Sequence, residues 1–119
     1  MVKINSFSFG SIIIDNKKYS RDVFIFSNGS VERRQGGIWM FGSHNIKQTE
    51  IEKLLKGEPE VVIVGTGTDD IARLSREAEK WVKEKKLELI VLPSSEAVAR
   101  LNELADQGRK AAAIIHITC

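Results

Sequence analysis

The sequence predicts an α/β fold. Three observations carry that expectation. Residues 61–64 (VVIV), 87–92 and 111–117 read as strands; the first two read as buried, and the first is apolar throughout. An all-apolar strand is one covered on both faces. Between these runs, apolar residues recur at spacings of three and four, so the second half reads β-α-β-α-β. The first half instead consists of short β-branched and aromatic runs broken by turn residues.

The β-rich half comes first. Ile4, Phe7 and Phe9 sit among polar neighbours, and Ser11-Ile12-Ile13-Ile14 follows. Asp15-Asn16-Lys17-Lys18 is turn material, and Tyr19 opens the return strand. Residues 23–26 (VFIF) form another strand, ending at Ser27-Asn28-Gly29. Asn-Gly supplies the positive φ of a tight hairpin, so residues 31–34 are its partner strand. Trp39, Met40 and Phe41 lie in a short apolar run between glycines. Large apolar side chains default to the core, but these three are also the candidate interaction patch of the chain.

Residues 48–56 are expected to be helical. Thr49 and Glu52 have capping-box spacing, and Gly57 stands ready as the left-handed residue after the helix. After the strand at 61–64 comes Gly65-Thr66-Gly67. The next helix starts either at Asp70 or, after a short turn, at Ser75, and runs to about Lys85. Ser94 or Ser95 is expected to cap a helix whose apolar stripe is Ala97, Val98, Leu101, Leu104 and Ala105, with Gly108 ending it. Right-handed crossovers then join the strands of the second half. The β-rich half must extend that sheet or cover one side of it. No linker or repeat divides the chain, so residues 1–119 are expected to form one domain.

Composition narrows the function. The net charge is +2, from 18 basic and 16 acidic residues, which is too balanced to indicate nucleic acid as a partner. No apolar run approaches the ~20 residues that span a bilayer. The one cysteine, Cys119, allows no intrachain disulfide, and the opening residues do not form a signal peptide, so a cytoplasmic setting is expected. Abundant Lys and Glu with little Gln hint at a thermophilic origin.

Gly65-Thr66-Gly67 invites a nucleotide reading, which fails three tests. Asp70 stands where a dinucleotide fingerprint needs its third glycine. The following strand ends in Leu92-Pro93-Ser94, with no acid for a ribose. Asp69 and Asp70 occupy the place where a helix start would receive phosphate. No Gly-Lys-Ser/Thr is present either. His116 and Cys119, three apart on a strand, point to opposite faces, so no metal site is expected. His116 reads as a packed or hydrogen-bonded strand residue. The terminal carboxylate beside Cys119 disfavours its thiolate, and no serine sits in a nucleophile elbow, so no catalytic residue and no cofactor are assigned. One ligand cleft stays a candidate. It would form where Gly65, Thr66, Gly67, Thr68, Ser94, Ser95 and Arg109 meet at strand ends.

The residues 95–104 (SEAVARLNEL), then Gln107-Gly108-Arg109, Ala112 and the ending His116-Ile117-Thr118-Cys119 resemble the adipogenesis-associated, Mth938-like domain family. So do Phe9-Gly10-Ser11-Ile12, Tyr19, Asp22, Gly29 and Ile63-Val64-Gly65-Thr66-Gly67. The resemblance implies a three-layer α/β fold. Its central sheet is mixed, with one core strand antiparallel, and extra β structure lies on one side. It implies no established reaction. Its members include a mitochondrial complex I assembly factor, which points to a non-catalytic accessory, assembly or regulatory binding module. Such a module would act on a protein partner or by self-association. The alternative is a small-molecule-binding protein or uncharacterised enzyme that uses the cleft at Gly65-Thr66-Gly67.

Overall fold

A computed structural model describes residues 2–34, 45–70 and 72–118. A five-stranded mixed sheet forms the middle layer, in the order β5 (Val31–Arg33), β4 (Val23–Ile25), β10 (Ala111–His116), β7 (Val61–Thr66) and β9 (Glu88–Leu92). β10 runs parallel to β7, and β7 parallel to β9, while β4 is antiparallel to β10. The antiparallel core strand implied by the resemblance is therefore β4. Its edge neighbour β5 joins it through the expected hairpin, where Gly29 takes a φ of 91°.

Period-two alternation sorts the side chains of β10 into two cores. Ala111, Ala113, Ile115 and Ile117 face a cluster built from α3 (Ser94–Asp106) and the small sheet of β1 (Ile4–Ser8), β2 (Ser11–Ile14) and β3 (Lys17–Tyr19). Ala112 and Ile114 face the opposite way, onto α1 (Gln48–Leu54) and α2 (Arg76–Glu84) through Ile51, Leu54 and Val82. The result is three layers. The β-rich first half does both things open to it, since β4 and β5 extend the central sheet while β1 to β3 cover one face. Among the described residues no helix is long and apolar enough to cross a membrane.

Several local expectations are corrected. α1 is capped at Lys47, whose N–H is accepted by Glu50 Oε1 at 3.0 Å, and not by the Thr49–Glu52 pair. The helix gives way after Leu54 to a 3-10 turn at Leu55–Gly57, and the left-handed residue is Glu58 (φ 50°). Gly57 is required for another reason. A Cβ there would collide with Ser27 Oγ, which donates to Gly57 O at 2.9 Å. The later of the two helix starts is the observed one. Residues 67–70 form a turn, β8 (Arg73–Leu74) pairs in parallel with β6 (Asn45–Ile46), and Ser75 Oγ caps α2 by accepting the Ala78 N–H at 3.1 Å. Asp69 and Asp70 therefore cap no helix.

Residues 87–92 were expected to be a buried strand. β9 is an edge strand instead, half-buried, with Val91 42% exposed. α3 ends as its sequence requires. Gly108 has φ 74°, its N–H bonds Ala105 O at 3.0 Å, and the Arg109 N–H bonds Leu104 O at 3.0 Å. This crossed pair satisfies the last carbonyls of the helix.

Candidate functional site

β7 and β10 end side by side, and the chain leaves β7 through the glycine turn. Open α/β sheets bind ligands at this edge, beyond the carboxyl ends of their parallel strands. Here the space at the turn is filled from within the chain. Ser94 stands at the first position of α3, after an N-cap at Pro93 that carries no side-chain bond. Its fully buried hydroxyl accepts the Gly67 N–H at 2.8 Å and donates to His116 O at 2.5 Å. Ser94 is thus a strut across three elements and not the expected helix cap. Gly65 has to lack a side chain because of this strut. A Cβ there would lie 2.8 Å from Ser94 Oγ, 3.1 Å from Ile115 Cδ1 and 3.3 Å from Ala97 Cβ. Thr66, also fully buried, places its hydroxyl on the Asp70 carboxylate and on Leu92 O (3.1 Å). Gly67 (φ 99°) and Asp70 (φ 56°) supply the left-handed residues of the turn. Thr68 is exposed, and its N–H donates to Thr118 O at 2.7 Å.

The other expected site residues fall in different places. Ser95 is exposed on the first turn of α3, one residue from the strut. Arg109 does not join them. It follows α3 at the opposite edge of the sheet, where its Nε meets Glu60 Oε2 at 2.9 Å and its Nη2 meets Glu88 Oε1 at 3.5 Å. Glu60 and Glu88 stand at the starts of β7 and β9, so the length of the strands, roughly 20 Å, separates Arg109 from the glycine turn. The hydrogen bond that Arg109 donates to Glu60 holds its guanidinium above its usual pKa, which fits a surface ion pair. At that same far edge Phe26, Asn28, Ser30, Glu32, Lys56 and Gly57 line a shallow concavity of 120 Å³. Trp39, Met40 and Phe41 lie outside the described residues.

The residue-by-residue reading of the sequence missed the most organised polar cluster at the loop edge. His116, the last residue of β10, is fully buried. Its Nδ1 lies 2.7 Å from Asp22 Oδ2, just before β4. The other oxygen of Asp22 accepts the Ile117 N–H at 2.9 Å. Arg34, beyond β5, donates from Nη1 to Asp22 Oδ2 at 3.0 Å and grips Glu50 of α1 through Nε (2.5 Å) and Nη2 (2.9 Å). The Arg34 N–H also bonds Asp22 O at 2.7 Å. Glu50 therefore does two jobs, holding Arg34 and closing the start of α1. Burial alone would raise the Asp22 pKa. The hydrogen bonds from His116, the Ile117 N–H and Arg34 outweigh it, so the carboxyl stays below its ordinary value. Burial would likewise lower Arg34, but Glu50 and Asp22 hold it above its usual value. On the outer side of the ring, the Thr118 hydroxyl lies 3.2 Å from His116 Nε2.

The tip of the β1–β2 hairpin completes this edge. The Gly10 N–H donates to Ile117 O at 2.7 Å, which pins the tip to the end of the central strand. Phe9, next to Gly10, is 62% exposed.

Residues 4–116 match the model of a family described as "Protein of unknown function (DUF498/DUF598)". The chain belongs to this family. Its Mth938-like architecture is shared with solved relatives. The conserved hypothetical protein PH1505 from Pyrococcus horikoshii OT3 is 36% identical, over 98% of this chain and 99% of that one, with a TM-score of 0.85. A protein called MT938 is 32% identical over the whole of both chains, with a TM-score of 0.82. A Mth938-like domain of Bordetella pertussis, covering 97% of this chain and 85% of that one, keeps the fold at 15% identity with a TM-score of 0.73. The family resemblance and the three-layer fold expected from the sequence are thereby shown. No member among these is described by an activity.

Proposed function

We propose that this Mth938-like chain is an accessory or assembly module that binds a protein, with the loop edge of its central sheet as the contact surface. The observation that carries the reading is Phe9, 62% exposed on a hairpin tip that a main-chain hydrogen bond fastens to the end of β10. A rigid, exposed aromatic costs little conformational entropy to bury, and such residues anchor interfaces. The same loop edge is cross-linked by Asp22, His116, Arg34 and Glu50, so it is pre-organised. The partner is a different protein or a second copy of the chain, and the setting we propose is the cytoplasm. Trp39, Met40 and Phe41, which lie outside the described residues, are a second proposed interaction patch. The small-molecule alternative draws less support, because Ser94 fills the turn at Gly65 and Gly67 and Arg109 stands at the other edge.

The test is affinity capture from native extract with wild-type chain and Phe9→Ser, with mass spectrometry of the proteins and small molecules retained. Sedimentation of both chains reports self-association. A specific protein, or a dimer, that is lost in Phe9→Ser supports the reading. Equal capture by the two chains, or recovery of a small molecule alone, overturns it.

A further inference from the structure

The two edges of the central sheet are built differently. β5 is 3 residues long, and its Glu32 and Arg33 are exposed. Short, charged edges keep a further strand from adding on. β9 has no such guard along Leu89-Ile90-Val91-Leu92, an unbroken apolar run that follows β7 in continuous register. Ile90 and Leu92 pack toward α3, and Leu89 packs toward α1 and α2, yet Val91 stays 42% exposed. Among the described residues nothing pairs with the outer side of this strand. A flat, apolar, unpaired edge is a template for another strand.

The inner partners show which main-chain groups face outward. Leu92 O accepts the Thr66 hydroxyl at 3.1 Å, and the Ser94 N–H donates to Gly67 O at 3.1 Å. Ile90 and Leu92 therefore turn their main chain toward β7. The N–H and C=O of Leu89 and Val91 point the other way, out of the sheet.

We propose that β9 is a dimerisation edge, which pairs with β9 of a second copy of this chain across a two-fold axis. Identical edges related in this way run antiparallel. Outward residues must then face outward residues, and the neighbours leave one register. Pro93 has no N–H to give, and the Leu87 N–H is already donated to Val82 O at 3.4 Å. The remaining register sets Leu89 opposite Val91 of the second copy, with Ile90 meeting Ile90 on the axis. Every central contact is apolar on both sides, and this self-complementarity selects a second copy as the occupant. Glu88 falls at the rim of the pair, where Arg109 Nη2 lies 3.5 Å from its carboxylate. The two central sheets thereby join into one. This surface runs along the side of the sheet and not across its loop edge, so the inference goes beyond the contact proposed above.

The test is disulfide cross-linking of the full chain in a Cys119→Ser background, with sedimentation of the unaltered chain up to millimolar concentration. Opposed residues of a non-hydrogen-bonded antiparallel pair have Cα atoms ~4.5 Å apart, within reach of a disulfide. Ile90→Cys should therefore cross-link to itself on mild oxidation. Leu89→Cys and Val91→Cys should each fail alone, because their offset carries the Cα atoms beyond ~7 Å, and should cross-link when mixed. Val91→Lys should weaken the dimer ~10-fold or more, since each copy sets an ammonium group against an apolar partner. Phe9→Ser should leave the dimer intact. An unaltered chain that stays monomeric at every concentration overturns the proposal without any variant, and this is also the result if a strand of another protein occupies β9. Self-linking of Val91→Cys refutes the register and with it the proposal. A dimer lost in Phe9→Ser and kept in Val91→Lys overturns it as well, by placing the contact at the loop edge.

Discussion

Gly65→Ala is expected to be strongly destabilising although glycine is not needed there for its backbone angles. Gly65 is not among the glycines of positive φ, so alanine could adopt its extended conformation. The obstacle is space. The new methyl carbon would stand 2.8 Å from Ser94 Oγ and 3.1 Å from Ile115 Cδ1. Ser94 cannot retreat without loosening the Gly67 N–H at 2.8 Å and His116 O at 2.5 Å. Overpacking a filled core costs ~1–3 kcal/mol. Leaving a buried donor or acceptor unmade costs ~1–3 kcal/mol more. A loss of about 2–6 kcal/mol is therefore expected, a large part of the ~5–15 kcal/mol that holds a domain together. Urea unfolding followed by far-UV circular dichroism measures it. The mechanism has a sharper signature in the double variant. Ser94→Ala alone strips partners from Gly67 N–H and His116 O, but it also removes the oxygen that the methyl meets. The double variant should then be less damaged than the sum of the singles, by about 1 kcal/mol or more, as in-contact pairs typically show. Strict additivity, or a Gly65→Ala loss well below 1 kcal/mol, would refute the strut.

Asp22→Asn should cost about 3 kcal/mol near neutral pH by taking a charge partner from Arg34 and a carboxylate acceptor from the Ile117 N–H inside the fold. Because the folded Asp22 pKa is lowered, its stabilisation is present above the ordinary carboxylate value of 3.8 and is lost as pH falls through the lower folded value. Denaturant midpoints of wild type and Asp22→Asn should accordingly converge on acidification below 3.8, and a constant gap would contradict the linkage. Arg34→Met should lower the melting temperature more than Arg109→Ala does, since Arg34 joins two carboxylates behind an 8% exposed side chain while Arg109 meets Glu60 and Glu88 at the surface. Arg109→Ala should leave the urea midpoint unchanged, and a clear drop would show that the far-edge ion pairs stabilise the fold. Phe9→Ser should keep the wild-type melting temperature while it abolishes partner capture, and a lower melting temperature would mean that Phe9 packs inward.

The secondary structure was legible where local chemistry decides it. Asn28-Gly29 marked its hairpin, Gly108 marked the end of α3, and VVIV marked a doubly covered strand. The misplaced starts and stops had more than one local solution. Asp70 and Ser75 can each open a helix, and the β8–β6 pairing selected Ser75. Asn102 shows how non-local the remaining anchors are, since its side chain brackets Ile4 with two bonds of 2.9 Å across 98 residues.

The candidate site was legible only in part, because polar partnerships carry no spacing rule. Asp22 and His116 both belong to the residues that carry the family resemblance, yet 94 positions separate them, and Arg34 and Glu50 join from two further elements. Neither periodicity nor turn chemistry relates such positions. By itself the sequence determined an α/β layering, the turn at Gly65 and Gly67, and the absence of a dinucleotide fingerprint, all of which follow from short-range sterics and apolar period. Only the tertiary structure decided that β4 runs antiparallel beside β10, that Ser94 fills the glycine turn, and that Arg109 stands a strand's length from it. Those outcomes depend on which strand ends the sheet brings together, and buried polar groups then take whatever partners that edge provides.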